Sequence, residues 1–207
     1  MVKLLFLRHG NSVMNKQRRF CGQFDCELNV LGVAQANQAA EYIVSNYKID
    51  ALYSSDLKRV KDTLFPTQRK LNLPVTYSKS LREVYVGSWQ TRTFDEIKET
   101  DSEAFLRYKS GDTTVKLGGA ESFDDLHKRA LEFVKSIAKI HDGQTVLIAT
   151  HGGVIRMLLE KWLNVSDVVI RKDYPITNAS LTEVDFDGEN VKINFMGKNC
   201  YLSDISE

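Results

Sequence analysis

Short apolar runs alternate with longer amphipathic segments along this chain of 207 residues. An apolar run of about four to eight residues that stops at a turn signal is typical of a buried strand, whereas apolar residues every three or four positions indicate a helix. The strands predicted in this way cover residues 2–7, 51–53 with its flanks, 145–149, 180–186 and 191–196. The last two flank Asp187-Gly188, which indicates a turn between them.

Four longer segments carry apolar residues at helical spacing. They are 31–47 with Asn29 as N-cap, a segment that opens at Asp56, 121–140, and an apolar segment that runs through Leu163. Strands that alternate with long helices predict an α/β fold. We expect three layers, in which a mostly parallel sheet carries helices on both faces.

The segment from about residue 84 to residue 120 interrupts this alternation. It is polar, contains short helical pieces and has no strand pattern. This pattern predicts a small cap insertion over one face of the sheet, and such loops often cover an active site. Because we find no repeat, low-complexity stretch or linker, we interpret residues 1–207 as a single domain that carries this cap.

The composition excludes several classes of function. Hydrophobic residues make up 43% and charged residues 27%, as in an ordinary globular protein. The net charge of +1 gives no basis for binding nucleic acid or an acidic membrane, and no run approaches the roughly 18 apolar residues of a membrane span. We therefore expect a cytoplasmic protein with neither nucleic acid nor membrane as partner. Cys21, Cys26 and Cys200 include no Cys-x-x-Cys pair and are interpreted as inert free thiols in a reducing compartment.

Two histidines occur in the same local context, since each follows a predicted strand and precedes glycine. His9 follows strand 2–7, and His151 follows strand 145–149. Because ligands of open α/β sheets bind beyond the carboxyl ends of the strands, we expect both imidazoles in one crevice. The adjoining glycines allow the backbone to approach a ligand and leave amide groups free to face an anion.

Two arginines and a glutamate complete the candidate site. Arg8 precedes His9, and Arg59 lies in the first turn of the helix that follows strand 51–53. Guanidinium groups bind phosphate oxygens in pairs and stay charged at any working pH. A neutral imidazole can attack phosphorus, and a carboxyl group can protonate the leaving oxygen. Glu83, where the chain leaves the predicted scaffold, is the candidate for that acid.

Several sequence blocks follow one another in a characteristic order. They are Arg8-His9-Gly10 with Asn15, Leu28-Asn29 with Gly32, Ser54-Ser55-Asp56 with Arg59 and Thr63, Glu83 with Gly87-Ser88-Trp89, Gly118-Gly119 with Glu121-Ser122, Thr150-His151-Gly152-Gly153 with Arg156, and Asn178-Ala179-Ser180. Along nearly the whole chain this order resembles the histidine phosphatase superfamily, whose founding branch is the cofactor-dependent phosphoglycerate mutases. Asn11 departs from the family pattern, which commonly has Glu or Gln at that position.

The resemblance implies a phosphatase that acts on a small phosphorylated metabolite. This phosphomonoester hydrolase would form a phosphohistidine on His9, with Glu83 as general acid. The residues implied to bind the phosphoryl group are Arg8, Asn15, Arg59, His151 and Gly152. Neither a metal nor an organic cofactor is implied, and a homodimer is left open.

Two other functions stay open at this point. A mutase would return the phosphoryl group to another hydroxyl. Mutases of the family resemble one another in having Glu-Arg after the acid's block and an Arg-Arg pair in the cap, whereas here Val84 follows Glu83 and residues 84–120 contain no such pair. A relative that has lost activity would serve as an interaction module, and it would be expected to have lost the nucleophile, an arginine or the acid.

Two assignments within the site have alternatives. Glu96 or Glu121 could approach the site in place of Glu83. The basic run Lys16, Arg18 and Arg19 could be a solvated surface, or it could contact a distal anionic group of a substrate.

Overall fold

The computed structural model describes residues 1–203, whose strands form one six-stranded sheet. The strands are Val2–Arg8 (β1), Ala51–Ser54 (β2), Val75–Tyr77 (β3), Thr145–Thr150 (β4), Leu181–Phe186 (β5) and Val191–Lys198 (β6). They lie in the order β3-β2-β4-β1-β5-β6. The pairings from β3 through β1 are parallel, whereas β5 runs antiparallel to both of its neighbours. The mostly parallel sheet predicted from the sequence is confirmed.

Helices occupy most of the remaining chain. They are Val13–Lys16 (α1), Val30–Asn46 (α2), Lys58–Leu71 (α3), Phe94–Thr100 (α4), Ser102–Ser110 (α5), Phe123–Ile140 (α6), Gly152–Leu163 (α7) and Asp167–Asp173 (α8), with 3₁₀ turns at Lys79–Leu81, Gly87–Trp89 and Leu117–Gly119. Within residues 1–203, no helix combines the length and the apolar character that crossing a membrane requires.

The long helices agree with the sequence prediction, except at two N-termini. Helix α3 begins at Lys58 and not at Asp56, because Leu57 is still extended, with φ −74° and ψ 139°. Helix α6 begins at Phe123 because the Ser122 side chain accepts a hydrogen bond from the Asp125 amide and caps the helix. Strand β3 and helices α1 and α8 were not predicted, since each is too short to show a clear period.

Side chains of the central strand β1 alternate between two apolar cores. Leu4 and Phe6 belong to the core that α6 and α7 cover, whereas Leu5 and Leu7 belong to the core that α2 and α3 cover. All four side chains are buried. The removal of apolar surface from water on both faces, at about 25 cal/mol per Å², stabilises the stack of layers. The predicted three-layer α/β arrangement is therefore confirmed.

Residues 84–120 form two short helices and two 3₁₀ turns above the carboxyl ends of the strands. Trp89, Ile97 and Leu117 of this segment are fully buried and share the core that contains Phe6. The Trp89 indole Nε1 donates a hydrogen bond to Asp101 at 2.8 Å. The interpretation of the segment as polar is therefore wrong for its inner side, because a few widely spaced apolar residues anchor it to the sheet.

Candidate active site

Two imidazoles meet where the neighbouring strands β1 and β4 end. Arg8 pairs with Thr150 across these strands, so that His9 and His151 leave the sheet side by side. Their ring centroids are 5.2 Å apart, and both side chains are buried. The structure thus brings together the two histidines that the sequence analysis expected in one crevice.

The contacts of His9 determine which of its nitrogens can act as a nucleophile. Nδ1 lies 2.8 Å from the Gly10 carbonyl oxygen, which can only accept, so Nδ1 carries the proton. The lone pair therefore lies on Nε2. Burial, together with the charges of Arg59 and Arg8, lowers the pKa of His9 well below the ordinary value of 6.5. His9 is therefore neutral at pH 7, as an attack on phosphorus requires.

His151, the second histidine of the site, forms a hydrogen bond with a guanidinium. Its Nδ1 accepts a hydrogen bond from Arg59 Nη2 at 3.1 Å, and its Nε2 donates to the Ser55 hydroxyl at 2.9 Å. Burial lowers the pKa of His151 well below 6.5, and the charge of Arg59 adds to this effect. His151 is therefore a neutral acceptor that orients Arg59 toward His9.

Arg59 is a buried cation held by backbone carbonyls. Nη2 donates to Gly22 at 2.7 Å and Nη1 donates to Phe24 at 3.0 Å, while Nε has no hydrogen-bond partner in the described residues. No carboxylate within residues 1–203 forms an ion pair with this guanidinium, which is 1% exposed. An unpaired buried charge is costly, so this position favours a bound anion.

Arg8 supplies a second guanidinium to the same site. Its Nη1 donates to the Ile176 carbonyl, and its Nε is buried with no hydrogen-bond partner in the described residues. A side-chain carbon on Gly152 would lie 3.2 Å from that Nε, so glycine leaves room for the arginine. Burial, and then the charge of Arg156, lowers the pKa of Arg8 to about 10, which keeps it charged at pH 7.

One cavity of about 150 Å³ opens onto these groups. Its charged lining residues are Arg8, Arg19, Arg59, Arg156 and Glu83, and His9 and Asn15 also line it. Phe20, Phe94, Tyr108 and Phe123 form apolar walls on the side of residues 84–120. His151 and Gly152 lie behind Arg59 and Arg8 and do not line the cavity.

Glu83 is fixed by the start of helix α7. Its Oε2 accepts a hydrogen bond from the Gly153 amide at 3.0 Å, and its Oε1 accepts one from the Val84 amide at 2.9 Å. A side-chain carbon on Gly153 would lie 2.1 Å from Oε1, so only glycine permits this approach. The carboxyl group is thereby held beside the cavity that His9 lines.

Arg129 is a positioning residue that the sequence analysis missed. From helix α6 its Nη1 donates to the Ser80 carbonyl at 2.7 Å and its Nη2 donates to the Glu83 carbonyl at 3.0 Å. Glu121 pairs with Arg129 and accepts from the Tyr85 amide, so it supports the same segment and does not line the cavity. The sequence signal, one Arg on the polar face of a helix, is indistinguishable from a solvated charge.

Asparagines organise the loop after His9. Asn15 Oδ1 accepts hydrogen bonds from the Ser12 amide and hydroxyl and from Asn178, which leaves the Nδ2 hydrogens as donors for a ligand in the cavity. Asn11 does not line the cavity, since its side chain binds Asn29 and Asn178. The departure from the family pattern at Asn11 therefore affects the support of the loop and not the cavity wall.

Thr63 links the two sides of the site. Its hydroxyl accepts from the Gly10 amide at 2.9 Å and donates to the Arg59 carbonyl at 2.7 Å. The remaining sequence candidates lie elsewhere: Glu96 caps helix α4, and of the basic run only Arg19 lines the cavity. Within residues 1–203, no cluster of three or more His, Cys, Asp or Glu side chains could hold a metal ion.

The chain matches one protein family over most of its length. The model of the histidine phosphatase superfamily (branch 1) matches residues 4–199. Two proteins of Arabidopsis thaliana are similar: phosphoglycerate mutase-like protein 4, 34% identical over 98% of this chain and 87% of the relative, and metal-independent phosphoserine phosphatase, 36% identical over 76% and 67%. The solved structure of Bacillus stearothermophilus YhfR superimposes with a TM-score of 0.90 at 28% identity, covering 97% of this chain and 99% of that one. With this match, and with Arg8, His9 and Arg59 around one cavity and His151 directly behind Arg59, this chain belongs to branch 1 of the histidine phosphatase superfamily.

Proposed function

We propose that this protein is a phosphomonoester hydrolase that transfers the phosphoryl group of a small metabolite to His9 and then to water. One observation carries the proposal. A neutral imidazole, with its lone pair on Nε2, lines a cavity together with two guanidiniums that have no carboxylate partner among residues 1–203. A dianionic phosphate supplies the missing negative charge and presents phosphorus to the nucleophile.

The first step forms the covalent intermediate. His9 Nε2 bonds to phosphorus as the phosphorus–oxygen bond of the ester breaks, and the leaving alcohol oxygen takes a proton from Glu83. Arg8 and Arg59 stabilise the negative charge on the phosphoryl oxygens during this transfer, and the Asn15 amide donates to one of them. His151 keeps Arg59 in place through the 3.1 Å hydrogen bond.

The second step returns the enzyme to its starting state. The Glu83 carboxylate accepts a proton from a water molecule, whose oxygen attacks phosphorus as the phosphorus–nitrogen bond breaks. Inorganic phosphate leaves, Nε2 recovers its lone pair and Glu83 is protonated for the next cycle. Since the carboxyl oxygens are fixed by the amides of Val84 and Gly153, the same group can serve both steps without moving far.

The size of the cavity and the names of the relatives support a small substrate. About 150 Å³ leaves room for a phosphoryl group and a short alcohol. One relative is named a metal-independent phosphoserine phosphatase, and phosphoserine is a small phosphate monoester. On the basis of the cavity size and of the similarity to this relative, we place this chain in the phosphatase branch of the family.

Phosphate release from a panel of small phosphate monoesters tests the proposal. Wild-type protein is expected to release phosphate, and His9→Ala is expected to lose at least about 10⁴-fold in kcat because the nucleophile is gone. His127→Ala, outside the cavity, is the matched control and should keep its activity. Isomerisation of a phosphoglycerate without phosphate release would indicate a mutase, and no turnover of any ester would indicate an interaction module.

A second measurement tests the role of Glu83. Glu83→Gln should slow esters of poor leaving groups much more than p-nitrophenyl phosphate, since an activated leaving group needs little protonation. Equal losses on both types of substrate would contradict the assignment of Glu83 as general acid.

A further inference from the structure

A third guanidinium enters the cavity from helix α7. Arg156 lies five residues after His151 and lines the same cavity as His9 and Glu83. Its Nε donates to Asp167 Oδ1 at 2.8 Å. Within residues 1–203, this is the only hydrogen bond of the Arg156 guanidinium. Both Nη groups are therefore available to a ligand in the cavity.

The ion pair of Arg156 does not neutralise it. The buried carboxylate of Asp167 is shared, because its Oδ2 also pairs with Arg171 at 2.9 Å. Two guanidiniums and one carboxylate leave a net charge of +1 at this end of the cavity. By contrast, Arg19 already has Glu96 and the Thr91 carbonyl as partners. Arg156 is thus the lining arginine with an unbalanced charge outside the phosphate site.

The surroundings of Arg156 limit what can bind there. The ring of Tyr108 packs against Phe20 and Phe123, at centroid distances of 5.5 and 6.1 Å, and both phenylalanines line the cavity. Arg156 and Arg8 repel each other, and this repulsion contributes to the lowered pKa of Arg8. One compact anion beside the phosphoryl group would balance the charge, and a carboxylate fits the planar fork of a guanidinium.

We propose that Arg156, with the Tyr108 hydroxyl, binds a carboxylate on the alcohol part of the substrate, so that the enzyme prefers phosphate esters of small hydroxy acids. This inference rests on the proposed hydrolase function and deepens it. The phosphoryl group binds Arg8 and Arg59, the ester oxygen faces Glu83, and the carboxylate lies two or three bonds further on, at Arg156.

Two pairs of matched substrates test the proposal. O-phosphoserine differs from O-phosphoethanolamine by one carboxylate, and 3-phosphoglycerate differs from glycerol 3-phosphate by a carboxylate in place of a hydroxymethyl group. Wild-type protein should prefer the carboxylate member of at least one pair by about 10–100-fold in kcat/KM, as for a charge-assisted hydrogen bond. Arg156→Gln should reduce that preference to less than about threefold, mainly through KM. Tyr108→Phe should reduce it by about fivefold.

Each preference is a ratio measured in one preparation, so a lower folded fraction in a variant cancels. Arg69→Gln, which removes an exposed arginine that does not line the cavity, should keep the wild-type ratio. A wild-type enzyme that hydrolyses both members of each pair equally would overturn the carboxylate site and leave the hydrolase function standing. If wild-type protein hydrolyses none of these esters and no p-nitrophenyl phosphate, both proposals fail.

A separate observation concerns the two cysteines beside Arg59. Cys21 Sγ and Cys26 Sγ are 3.1 Å apart, and Cys21 lines the cavity. The loop between them contains the two carbonyls, of Gly22 and Phe24, that hold the Arg59 guanidinium. The sequence interpretation of inert thiols is therefore incomplete: both are free, but their sulfurs are in contact at the phosphate site.

The two thiols differ in acidity and in access to the cavity. The hydrogen bond from Cys21, together with the charge of Arg59, lowers the pKa of Cys26 to about 6. The Cys21 thiol also donates a hydrogen bond to the Phe24 carbonyl at 3.3 Å, and its pKa is raised. Cys26 is buried, whereas Cys21 lines the cavity through which an oxidant would arrive, and the contact between the two sulfurs lets either one complete a disulfide.

We infer that a peroxide converts this pair to a disulfide that lowers phosphatase activity. The thiolate of one cysteine attacks one peroxide oxygen to give a sulfenic acid and hydroxide, and the thiol of the other then attacks that sulfur and releases water. The two thiols lose two electrons and the peroxide is reduced. Closing the sulfurs from 3.1 Å to about 2.0 Å pulls on the loop that holds Arg59, and a misplacement of about 1 Å at a catalytic group can cost about 10²-fold in rate.

Treatment with hydrogen peroxide, followed by dithiothreitol, tests this inference. Wild-type protein should lose two titratable thiols and at least about tenfold in activity, and dithiothreitol should restore both. Cys200→Ser should behave as wild type. In Cys21→Ser, the activity loss that dithiothreitol can reverse should be less than about twofold, relative to the activity of the same variant before treatment. Equal reversible losses in Cys21→Ser and wild type, or three titratable thiols after treatment, would overturn the inference.

Discussion

The two ends of the cavity are built in different ways. At the phosphate end, Arg8, His9 and His151 stand at or next to the ends of neighbouring strands, so sheet pairing fixes their relative positions. At the other end, Tyr108 comes from helix α5 and Arg156 from the second turn of α7, and apolar packing of residues 84–120 brings them together. If both proposals hold, the difference teaches that the reaction type is determined at the strand ends, whereas the substrate preference is determined by residues 84–120 and α7.

The largest effect expected from this division is at Arg59. Arg59→Gln should lower kcat by about 10²–10³-fold on every phosphate ester, because it removes a charge that stabilises the transferring phosphoryl group. In contrast with Arg156→Gln, the loss should be the same for substrates with and without a carboxylate. Steady-state kinetics on the matched pairs measures both quantities. The exposed Arg69→Gln on the same helix is the control, and a substrate-dependent loss at Arg59 would break the division.

Substitution of Arg129 tests whether Glu83, the proposed general acid, acts together with the groups at the phosphate end. Arg129→Gln removes the hydrogen bonds to Ser80 and Glu83 and should lower kcat by about 10–100-fold on esters of poor leaving groups, since the acid loses its position. The loss on p-nitrophenyl phosphate should be several times smaller. Lys128→Gln, exposed on the same helix, should change neither rate. A uniform loss on both kinds of ester would assign Arg129 a merely structural role.

The pH dependence of stability should come mainly from the phosphate end. The pKa values of His9 and His151 lie well below 6.5 in the folded protein, whereas in the unfolded chain these imidazoles take up protons near pH 6.5. The unfolded state then binds more protons, so the free energy of unfolding should fall by up to about 1.4 kcal/mol per histidine for each pH unit below 6.5.

Urea unfolding at pH 7.5 and pH 5.5 measures this dependence. His9→Asn removes one of the two groups and should lose less stability between these pH values than wild type, while Arg156→Gln should lose about as much as wild type. The same pH dependence in His9→Asn and wild type would show that His9 is not held neutral by the fold.

The smallest effects are expected at two helix caps. Asn29 caps α2 and also binds Asn11 next to the phosphate end, whereas Thr93 caps α4 in the cap segment. Replacement of either by Ala should cost about 1 kcal/mol of stability, measured by urea unfolding. Only Asn29→Ala should also lower kcat, by a few fold, because it disturbs the loop after His9. Equal kinetics in the two variants would show that the asparagine contacts do not affect the site.

Much of the sheet and of the phosphate end could be predicted from the sequence. Strand β1 and the strand before His151 are continuous apolar runs, and parallel neighbours place the residues at their carboxyl ends along one edge of the sheet. The family resemblance then added Asn15 to the histidines, the arginines and Glu83. These predictions depend on short stretches of chain, in which residue type and spacing carry the information.

Several contacts that hold the site together could not be predicted in this way. Arg129 binds carbonyls 46 and 49 residues away, and nothing in its helix distinguishes it from a solvated charge. Cys21 and Cys26 are five residues apart, and this spacing alone does not determine the distance between their sulfurs. The fold of the loop around Arg59 determines it. Trp89 packs on Phe20 and Phe105, which lie 69 and 16 residues away, and no local period indicates these contacts. Long-range packing, not local pattern, determines these contacts.

Glu83 and Gly153 lie 70 residues apart, yet the residue at each position restricts which residue can occupy the other. A side chain at position 153 and a carboxyl group at position 83 cannot occupy the same space. Among homologues, selection should therefore maintain glycine at 153 only while the carboxyl group is present at 83. A lineage that abandons catalysis frees both positions together, so their joint identity offers a way to sort working enzymes from silent relatives.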